Sequence, residues 1–343
     1  MNDNPLIVRY KEAVNLLNNN QLEEAATIFM DLQKDSVMAP YCHYHLAHIS
    51  NRTDDPEMAY MLFYKAFEAE PNLPKVIYGE NHPSYNYVFK VKMPEKSRTD
   101  CPLCSGQGTP RWCYVLPEES NYNESINPVR MWMYCEPCNH IFARDFPEKI
   151  FLHNTKPRKA IPTYFSYYSK ILTSIRQYAT GMSLFEIGVG ACECLLAARE
   201  IGYDTFGIDV IERHVEDAKK LYKLNAETAD FNEYQSDRLW DVIIMGDVLE
   251  HVNDPVRAIE KAASLLSDEG ALWISTPNFE SAYSAVSGHN DVMRKQQYHL
   301  NYFSRESLYN LLAQFNLAPV DYQISGHYSG SMEVIAIKES RLA

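Results

Sequence analysis

The chain has 343 residues, and its 32 lysines and arginines against 45 aspartates and glutamates give a formal net charge of −13. This length allows two or three domains with sizeable cores. The negative charge argues against a nucleic-acid partner held mainly through its phosphates, and no apolar run approaches the length of a membrane span.

The cysteine content and the first residues indicate the cellular compartment in which we expect the protein. Eight cysteines would be compatible with disulfides in a secreted protein, whereas paired Cys-x-x-Cys units in a cytosolic protein indicate a metal site. The opening Met-Asn-Asp-Asn does not begin a secretory signal. We therefore expect a cytoplasmic protein with no nucleic acid and no membrane among its partners.

Residues 6–73 contain an internal repeat. Three pairs of identical residues are each separated by 34 positions: Ala13 and Ala47, Ala25 and Ala59, and Phe29 and Phe63. This period is typical of tetratricopeptide repeats, in which small residues lie where two helices cross. Because two repeats are normally too few to be stable alone, we expect them to pack on the rest of the chain or in a homodimer. Two roles remain open, a docking surface for a peptide, carrier protein or subunit, and a structural cap.

Four cysteines in the next region are spaced as metal ligands. They form two Cys-x-x-Cys units separated by thirty residues: Cys101 with Cys104, and Cys135 with Cys138. Two such turns supply four thiolates for a tetrahedral zinc ion, and disulfides or free thiols are the alternatives. Segments 111–116 and 130–134 alternate like the strands of a zinc ribbon. A zinc ion held by four sulfurs has no position left for substrate, so the predicted zinc is structural.

The last region alternates between predicted strands and helices. A helix near residues 164–178 is followed by strands near 183–188, 204–209, 240–246 and 271–276, which predicts a parallel sheet covered on both faces. Segments 317–324 and 332–337 are predicted to add an antiparallel pair. The short spacer between Asp209 and Trp240 makes the third strand the least defined element.

A glycine turn follows the first of these strands. Glu186 opens the turn, and Gly188 and Gly190 allow the backbone to turn sharply and a ligand to approach closely. Asp209 ends the next strand, where a carboxylate would accept hydrogen bonds from ribose hydroxyls. The glycine pattern alone does not select one nucleotide. With Asp209 it predicts a nucleoside-containing ligand at this edge of the sheet.

These residues, with segment 241–252 and the following Asp254 and Pro255, resemble the class I S-adenosylmethionine-dependent methyltransferases. Segment 247–252 with Asp254 and Pro255 looks like the subgroup that includes quinone-biosynthesis and sugar methyltransferases, and the resemblance to the family covers roughly residues 160–343. The resemblance implies an α/β fold with a doubly wound Rossmann-like sheet and S-adenosyl-L-methionine as cofactor. Cys192 stands where that family usually has a third glycine, which can alter how the helix packs on the strand.

The resemblance also implies roles in cofactor binding. Glu186 would contact the methionine amino group, the backbone of Gly188 and Gly190 would lie along the methionine part, and Asp209 would bind the ribose. The remaining contacts would come from a loop dipeptide near the adenine and from the end of the fourth strand: Asp230, Phe231, Gly246 and Asp247.

Candidate catalytic residues follow the fourth strand. Glu250 and His251 lie at the carboxyl edge of the sheet, where open α/β sheets bind ligands, and histidine can act as a base near neutral pH. His299 is a second candidate base, and Tyr302 is expected beside it at the mouth of the site. The alternatives are that Glu250 and His251 fix a loop or cap a helix, and that His299 bonds a backbone carbonyl.

The sequence thus predicts three domains: tetratricopeptide-like helices at 1–76, a zinc-ribbon subdomain at 77–158 and a class I methyltransferase domain at 159–343. The predicted function is methyl transfer, with a histidine base, to a small polar metabolite, with a nucleotide sugar or natural-product intermediate as the leading candidate. A peptide or carrier-tethered substrate recruited by the helical repeats is one alternative. A non-catalytic adaptor that keeps the methyltransferase fold is another.

Overall fold

The computed structural model describes residues 4–82, 84–89, 96–116, 126–146 and 159–342. Its amino-terminal part is helical, with bounds α1 (Pro5–Asn18), α2 (Leu22–Leu32), α3 (Ala39–Arg52), α4 (Pro56–Ala69) and the short α5 (Pro74–Ile77). Proline in the first turn begins several of them, and the Asp55 side chain caps α4 by accepting from Met58 N. The chain therefore forms two helix pairs in succession.

The residues of the 34-position repeat lie at the contacts within these pairs. The four alanines are completely buried, and the two phenylalanines are at most 1% exposed. On the outer side of the first pair, the Tyr10 hydroxyl and His45 Nε2 are 2.8 Å apart, which joins α1 to α3. Small side chains thus allow the helices of each pair to approach closely, with one aromatic ring between them.

A four-stranded antiparallel sheet follows. Three of its strands are β2 (Thr109–Val115), β3 (Val129–Cys135) and β4 (His140–Ala143). A separate two-stranded sheet pairs β1 (Lys96–Ser97) with β5 (Asp145–Phe146). Strands β2 and β3 lie where alternation predicted them. The fourth strand, β11 (Asn301–Tyr302), comes from the region assigned to the last predicted domain and pairs with β4. The predicted boundary after residue 158 adjoins residues 147–158, which lie outside the described residues.

A seven-stranded sheet forms the carboxy-terminal part. Its strands are β6 (Ser183–Ile187), β7 (Asp204–Asp209), β8 (Ala226–Thr228), β9 (Trp240–Gly246), β10 (Leu266–Pro277), β12 (Leu317–Ile324) and β13 (Ser331–Lys338), in the order β12-β13-β10-β9-β6-β7-β8. Only β13 runs antiparallel to its neighbours. The predicted doubly wound α/β sheet is therefore present, and its third strand, β8, has only three residues.

Helices cover both faces of this sheet. One face carries α6 (Tyr164–Ile175), α7 (Glu193–Ile201) and α8 (Glu212–Tyr222); the other carries α9 (Pro255–Leu265) and α11 (Arg305–Ala313), with the short α10 (Ala282–Ser287) in a connection. Alternate residues of β9 enter opposite cores, Val242 and Ile244 on one side and Ile243 and Met245 on the other. The order of strands reverses between β6 and β9, and ligands bind at such a switch point.

One hydrophobic core connects all three parts. It includes Phe63 and Phe67 of α4, Met131 of β3 and Leu311 of α11. The helical pairs therefore pack on the rest of the chain, as expected of a unit too small to be stable alone. Across the described ranges, no helix combines the length and the apolar character needed to cross a bilayer.

Candidate functional site

The glycine turn lies at the switch point of the sheet. Gly188 and Gly190 have φ angles of +81° and +48°, in the left-handed region that glycine adopts without steric penalty. A Cβ on Gly188 would lie 2.9 Å from Val248 Cγ2. Cys192, at the predicted third-glycine position, also has a positive φ, +71°, and begins α7. The turn thus places backbone without side chains at the carboxyl end of β6.

Glu186 is buried directly before this turn. Its carboxylate accepts from the Leu195 amide and contacts the Cys194 thiol, while its Oε2 atom has no hydrogen-bond partner among the described residues. Burial raises the pKa of Glu186 well above its usual range, and the nearby Glu193 and Asp209 raise it further. A carboxyl group in this environment is stabilised by an incoming cation, such as an amino group.

Asp209 is also buried, and it already accepts several hydrogen bonds. Its Oδ2 atom lies 3.0 Å from Gly190 N and 3.1 Å from His214 Nδ1, and its Oδ1 atom accepts from Ile211 N at 2.8 Å. A carboxylate offers about four acceptor positions. Asp209 therefore holds the glycine turn against β7 and retains about one acceptor position.

The other predicted cofactor residues lie around the same edge. Asp230 is exposed, and its Oδ1 atom accepts from Asn232 N at 2.9 Å; Phe231 is buried against Phe185, with ring centroids 6.3 Å apart. Gly246 ends β9. The structure thus places Asp230 and Gly246 at the rim and Phe231 in the core beneath it.

Asp247 follows β9 in a left-handed conformation, with φ +52°. Its amide donates to Ser275 O at 2.9 Å, and its Oδ1 atom accepts from the Ser275 hydroxyl at 3.0 Å. Burial, together with the charge of Glu250, raises the pKa of Asp247 to about 8. Left-handed backbone at a residue other than glycine is unfavourable and persists only where the surroundings fix it, commonly at functional sites.

Glu250, His251 and His299 come together next to Asp247. The rings of His251 and His299 are in T-shaped contact, with centroids 4.9 Å apart. Nδ1 of His251 lies 3.0 Å from Tyr298 O. Burial lowers the pKa of both histidines, so both are neutral near pH 7. Because a carbonyl oxygen can only accept, the bonded Nδ1 of His251 carries the proton and its Nε2 has a lone pair available as a base.

The antiparallel sheet holds the segment that carries His299. The guanidinium of Arg130, on β3, donates to the His299 carbonyl oxygen and, at 2.9 Å, to Gln297 O. Trp132 Nε1, on the same strand, donates to Arg294 O at 2.8 Å. Position 299 is therefore fixed by side chains of the region that carries the cysteines.

The predicted metal ligands form one cluster. The four Sγ atoms of Cys101, Cys104, Cys135 and Cys138 lie within 4.8 Å of one another, and Cys104 and Cys135 are 3.6 Å apart. Disulfide sulfurs would be about 2.05 Å apart, whereas sulfurs about 2.3 Å from a tetrahedral zinc ion are separated by about 3.8 Å. Amides of Leu103 and Gly106 donate to two of these sulfurs, at 3.4 Å and 3.3 Å. The cluster is compatible with zinc.

Several residues at this edge were not identified from the sequence. His214 is bonded to Asp209, and the Thr276 hydroxyl donates to Glu250 Oε2 at 3.0 Å. His214 lies in the first helical turn after Asp209, a spacing that could have suggested it; nothing in the sequence marked Thr276. The expectation for Tyr302 was wrong, because it lies in the core, 1% exposed, and donates to Asp291 Oδ2 at 2.7 Å.

Comparison with known proteins agrees with this geometry. Residues 161–322, just under half of the chain, match the family described as a methyltransferase domain. A ubiquinone biosynthesis O-methyltransferase from Roseobacter denitrificans is 28% identical over 153 residues, which are 41% of this chain and 62% of that protein. A Rickettsia felis protein of the same name is 25% identical over 122 residues, 34% of this chain and 50% of that one. The chain thus spans less than two thirds of these curated relatives.

A solved structure is also similar. The 1,6-didemethyltoxoflavin-N1-methyltransferase of Burkholderia thailandensis, with bound S-adenosylhomocysteine, aligns with a TM-score of 0.41 and 18% identity, covering 51% of this chain and 77% of that one. The family match, residues 161–322, lies in the carboxy-terminal α/β region.

Proposed function

We propose that this chain, in which residues 161–322 form an S-adenosylmethionine-dependent methyltransferase domain, transfers a methyl group to a hydroxyl group of a small molecule. The observation that carries the proposal is the set of buried carboxyl groups at the strand ends. Glu186, Asp209, Asp247 and Glu250 are close enough for neighbouring charges to raise the pKa values of Glu186 and Asp247.

This charge distribution discriminates between cofactors. A dinucleotide would bring its pyrophosphate to the glycine turn next to the carboxyl group of Glu186, which would repel it, whereas Asp209 would bind a ribose hydroxyl of either kind of ligand. S-adenosylmethionine has no phosphate; it carries a positive sulfonium and a positive amino group, and both would relieve the repulsion among the carboxylates. Glu186 Oε2 would receive the amino group, and Asp209 would bind a ribose hydroxyl. Asp230, Phe231 and Gly246 would border the adenine and the methionine part.

The acceptor side supplies a neutral base. Nucleophilic attack by a hydroxyl oxygen on the methyl carbon requires loss of the hydroxyl proton, because the product ether has none. The Nε2 lone pair of His251 would accept that proton, and bound S-adenosylmethionine would supply the methyl group, with the electrons of the carbon–sulfur bond going to sulfur. His299 packs on the ring of His251, and Glu250 Oε2 is held by Thr276.

The acceptor side and the relatives support a choice of substrate class. The ubiquinone O-methyltransferases to which the chain is similar are named for methylating oxygen in a quinone precursor. We therefore rank a phenolic hydroxyl first and a sugar or nucleotide-sugar hydroxyl second. A peptide or carrier-tethered acceptor delivered by the helical pairs would require an opening between α4 and the site.

The four thiolates would hold a structural zinc that keeps the segment of His299 in place.

Two measurements test the function. Calorimetry with S-adenosylhomocysteine is expected to give one site per chain. Incubation with S-adenosylmethionine labelled in its methyl group is then expected to label a phenolic acceptor in a panel that also contains nucleotide sugars and peptides. Absence of S-adenosylhomocysteine binding by the folded protein would contradict the enzyme and favour a non-catalytic adaptor.

The ribose assignment makes a separate prediction. Asp209→Ala is expected to raise the dissociation constant of S-adenosylhomocysteine by roughly 10- to 150-fold, the equivalent of a charge-assisted hydrogen bond worth about 1.5–3 kcal/mol. Asp230→Ala is the matched control, because that exposed carboxylate is bonded to the adjacent Asn232 amide, and its effect is expected to be much smaller.

Asp209 also fixes the glycine turn, so a loss of affinity in Asp209→Ala can come from the missing ribose contact or from a change in the turn. A ligand whose ribose lacks the 2′-hydroxyl should bind the wild type less well and be less sensitive to Asp209→Ala, because the interaction is already missing. Equal sensitivity of both ligands would show that Asp209 acts only through the turn.

A further inference from the structure

We propose that Arg98 is a positioning residue for the base of the methyl transfer, because its guanidinium group holds the loop that carries His251. This inference rests on the proposed function for its catalytic consequence, whereas the position of the loop is tested without turnover. Arg98 directly follows β1, and its amide donates to Arg144 O at 2.9 Å. Its backbone is therefore anchored at the small sheet of β1 and β5, outside the α/β region in which His251 lies.

The guanidinium group of Arg98 joins three segments that are far apart in the sequence. Nε donates to Ala143 O at 3.3 Å, Nη1 donates to Asn253 O at 3.0 Å, and Nη2 donates to Leu300 O at 3.5 Å. Asn253 and Leu300 belong to the two segments that carry the candidate histidines. Because the donors of an arginine have a fixed planar geometry, one side chain fixes these carbonyl groups relative to one another.

The rest of the loop after β9 is held from β11. Asn301 is completely buried, and its backbone and side-chain nitrogens donate to three carbonyl groups of the loop, those of Leu249, Glu250 and Val252. The carbonyl group of Asn253, at the end of the loop, accepts from Arg98 instead. Arg98 thus fixes the part of the loop that Asn301 does not reach.

The surroundings of Arg98 favour a fixed position for its charge. The guanidinium carbon is 4.6 Å from the ring centroid of Phe146 and 5.5 Å from that of Phe142. Burial lowers the pKa of Arg98 to about 10, while the charges of Cys101 and Asp254 favour the protonated form. The group is therefore a cation at neutral pH, and hydrogen bonds from a charged donor are roughly twice as strong as those between neutral groups.

The same two segments are also joined by the hydrogen bond that orients the base. His251 Nδ1 lies 3.0 Å from Tyr298 O, and this bond determines which ring nitrogen carries the proton. Arg98 bonds the loop two residues after His251 and the other segment two residues after Tyr298. Without the guanidinium group we expect the segments to separate, so that water reaches the ring and the proton is no longer confined to Nδ1.

The first test observes the ring itself and requires no catalysis. Nuclear magnetic resonance of protein labelled in its histidine nitrogens reports the tautomer and the pKa of His251, whose signals are identified by their loss in His251→Ala. In the wild type we expect the Nδ1–H tautomer and a pKa below the usual value of about 6.5, because burial lowers it. In Arg98→Met we expect both tautomers and a pKa closer to about 6.5. The charged and titratable groups around the two histidines are the same in both proteins: Asp247, Glu250, His299 and Arg130.

The second test is kinetic. The base must be neutral, so the rate falls as the pH drops through the pKa of His251, and this acid limb should lie at higher pH in Arg98→Met. The maximum kcat should fall by roughly 10- to 100-fold through misplacement of the base, while the dissociation constant of S-adenosylhomocysteine stays within about threefold. Arg111→Met is the matched control and should behave as the wild type. The Arg111 guanidinium also lies over an aromatic ring, 5.8 Å from the centroid of Trp112, but the residue is exposed.

The outcomes separate this inference from the proposed function. A folded Arg98→Met protein in which His251 keeps its wild-type tautomer and pKa would overturn the positioning role, whether or not the chain transfers a methyl group. A changed ring with an unchanged kcat would also overturn it, because His251 would then not be the base. Arg98→Lys, which keeps the charge without the planar fork, gives the same comparison if Arg98→Met does not fold. Failure of the wild type to bind S-adenosylhomocysteine contradicts the proposed function alone and leaves the ring measurement valid.

Discussion

Removal of the proposed zinc ion from the four-cysteine cluster is expected to abolish methyl transfer while leaving S-adenosylhomocysteine binding within about threefold. Structural zinc in small domains contributes about 10–16 kcal/mol of apparent binding free energy, which is as large as the whole stability of a typical domain. Cys101, Cys104, Cys135 and Cys138 join two turns at one end of the sheet of β2, β3 and β4. Without the ion we expect this end to unfold.

The loss of activity would follow from hydrogen bonds that cross to the acceptor side. Arg130 and Trp132 hold the backbone of the segment that includes His299, and Asn139, at the second cysteine turn, accepts from the Ser304 hydroxyl at 2.7 Å. Strand β11 also pairs with β4. The donor residues Glu186 and Asp209 lie at the ends of β6 and β7 and make none of these contacts.

A matched pair of variants tests this coupling. The Cys104 side chain is exposed, so Cys104→Ser removes one ligand without opening a cavity, whereas Cys113→Ala removes a buried thiol that is not part of the cluster. We expect zinc content, measured by atomic emission, and methyl transfer to fall only in Cys104→Ser. Full activity in a chelated protein shown to be free of zinc would contradict the coupling.

The sequence predicted most of the sheet because the signals are local. Strands β6, β7 and β9 are short apolar runs that end in polar or glycine residues, and the six repeat residues Ala13 to Phe63 follow a fixed period. Strand β8 was the least defined because three residues give no periodicity. Strand β11 was missed for a different reason, since its two residues pair with β4, which lies some 160 positions earlier, and no local pattern reports such a contact.

The candidate site was predictable to a similar degree. Glu250 and His251 follow a strand and are adjacent in sequence, so their place at the sheet edge could be inferred. The approach of His299 to His251 depends on Arg130, Trp132 and the Glu250 carbonyl, all of which act across long sequence separations. Tyr302 was misplaced because its side chain packs with Trp132 and Ile141 in the core of the antiparallel sheet, a contact across long sequence separations that no local pattern reports.

The substitution His251→Ala is expected to lower kcat by roughly 10²- to 10⁴-fold, the usual contribution of a positioned base. The affinity for S-adenosylhomocysteine should change far less than kcat, because Glu186 and Asp209, the proposed contacts of the amino group and the ribose, lie at other strand ends and His251 interacts with Asp247 among the proposed cofactor contacts. Single-turnover methyl transfer under saturating cofactor measures this directly. A folded His251→Ala protein with wild-type kcat would show that His251 is not the base.

The size of the effect at His299 then decides whether His299 supports the ring of His251 or shares the removal of the proton. If His251 acts alone as the base, His299→Ala should lower kcat less, through loss of the ring contact, and the double variant should be close to His251→Ala. If the two histidines act as a unit, each single variant should lose nearly the whole effect, because residues that act as a unit are strongly non-additive.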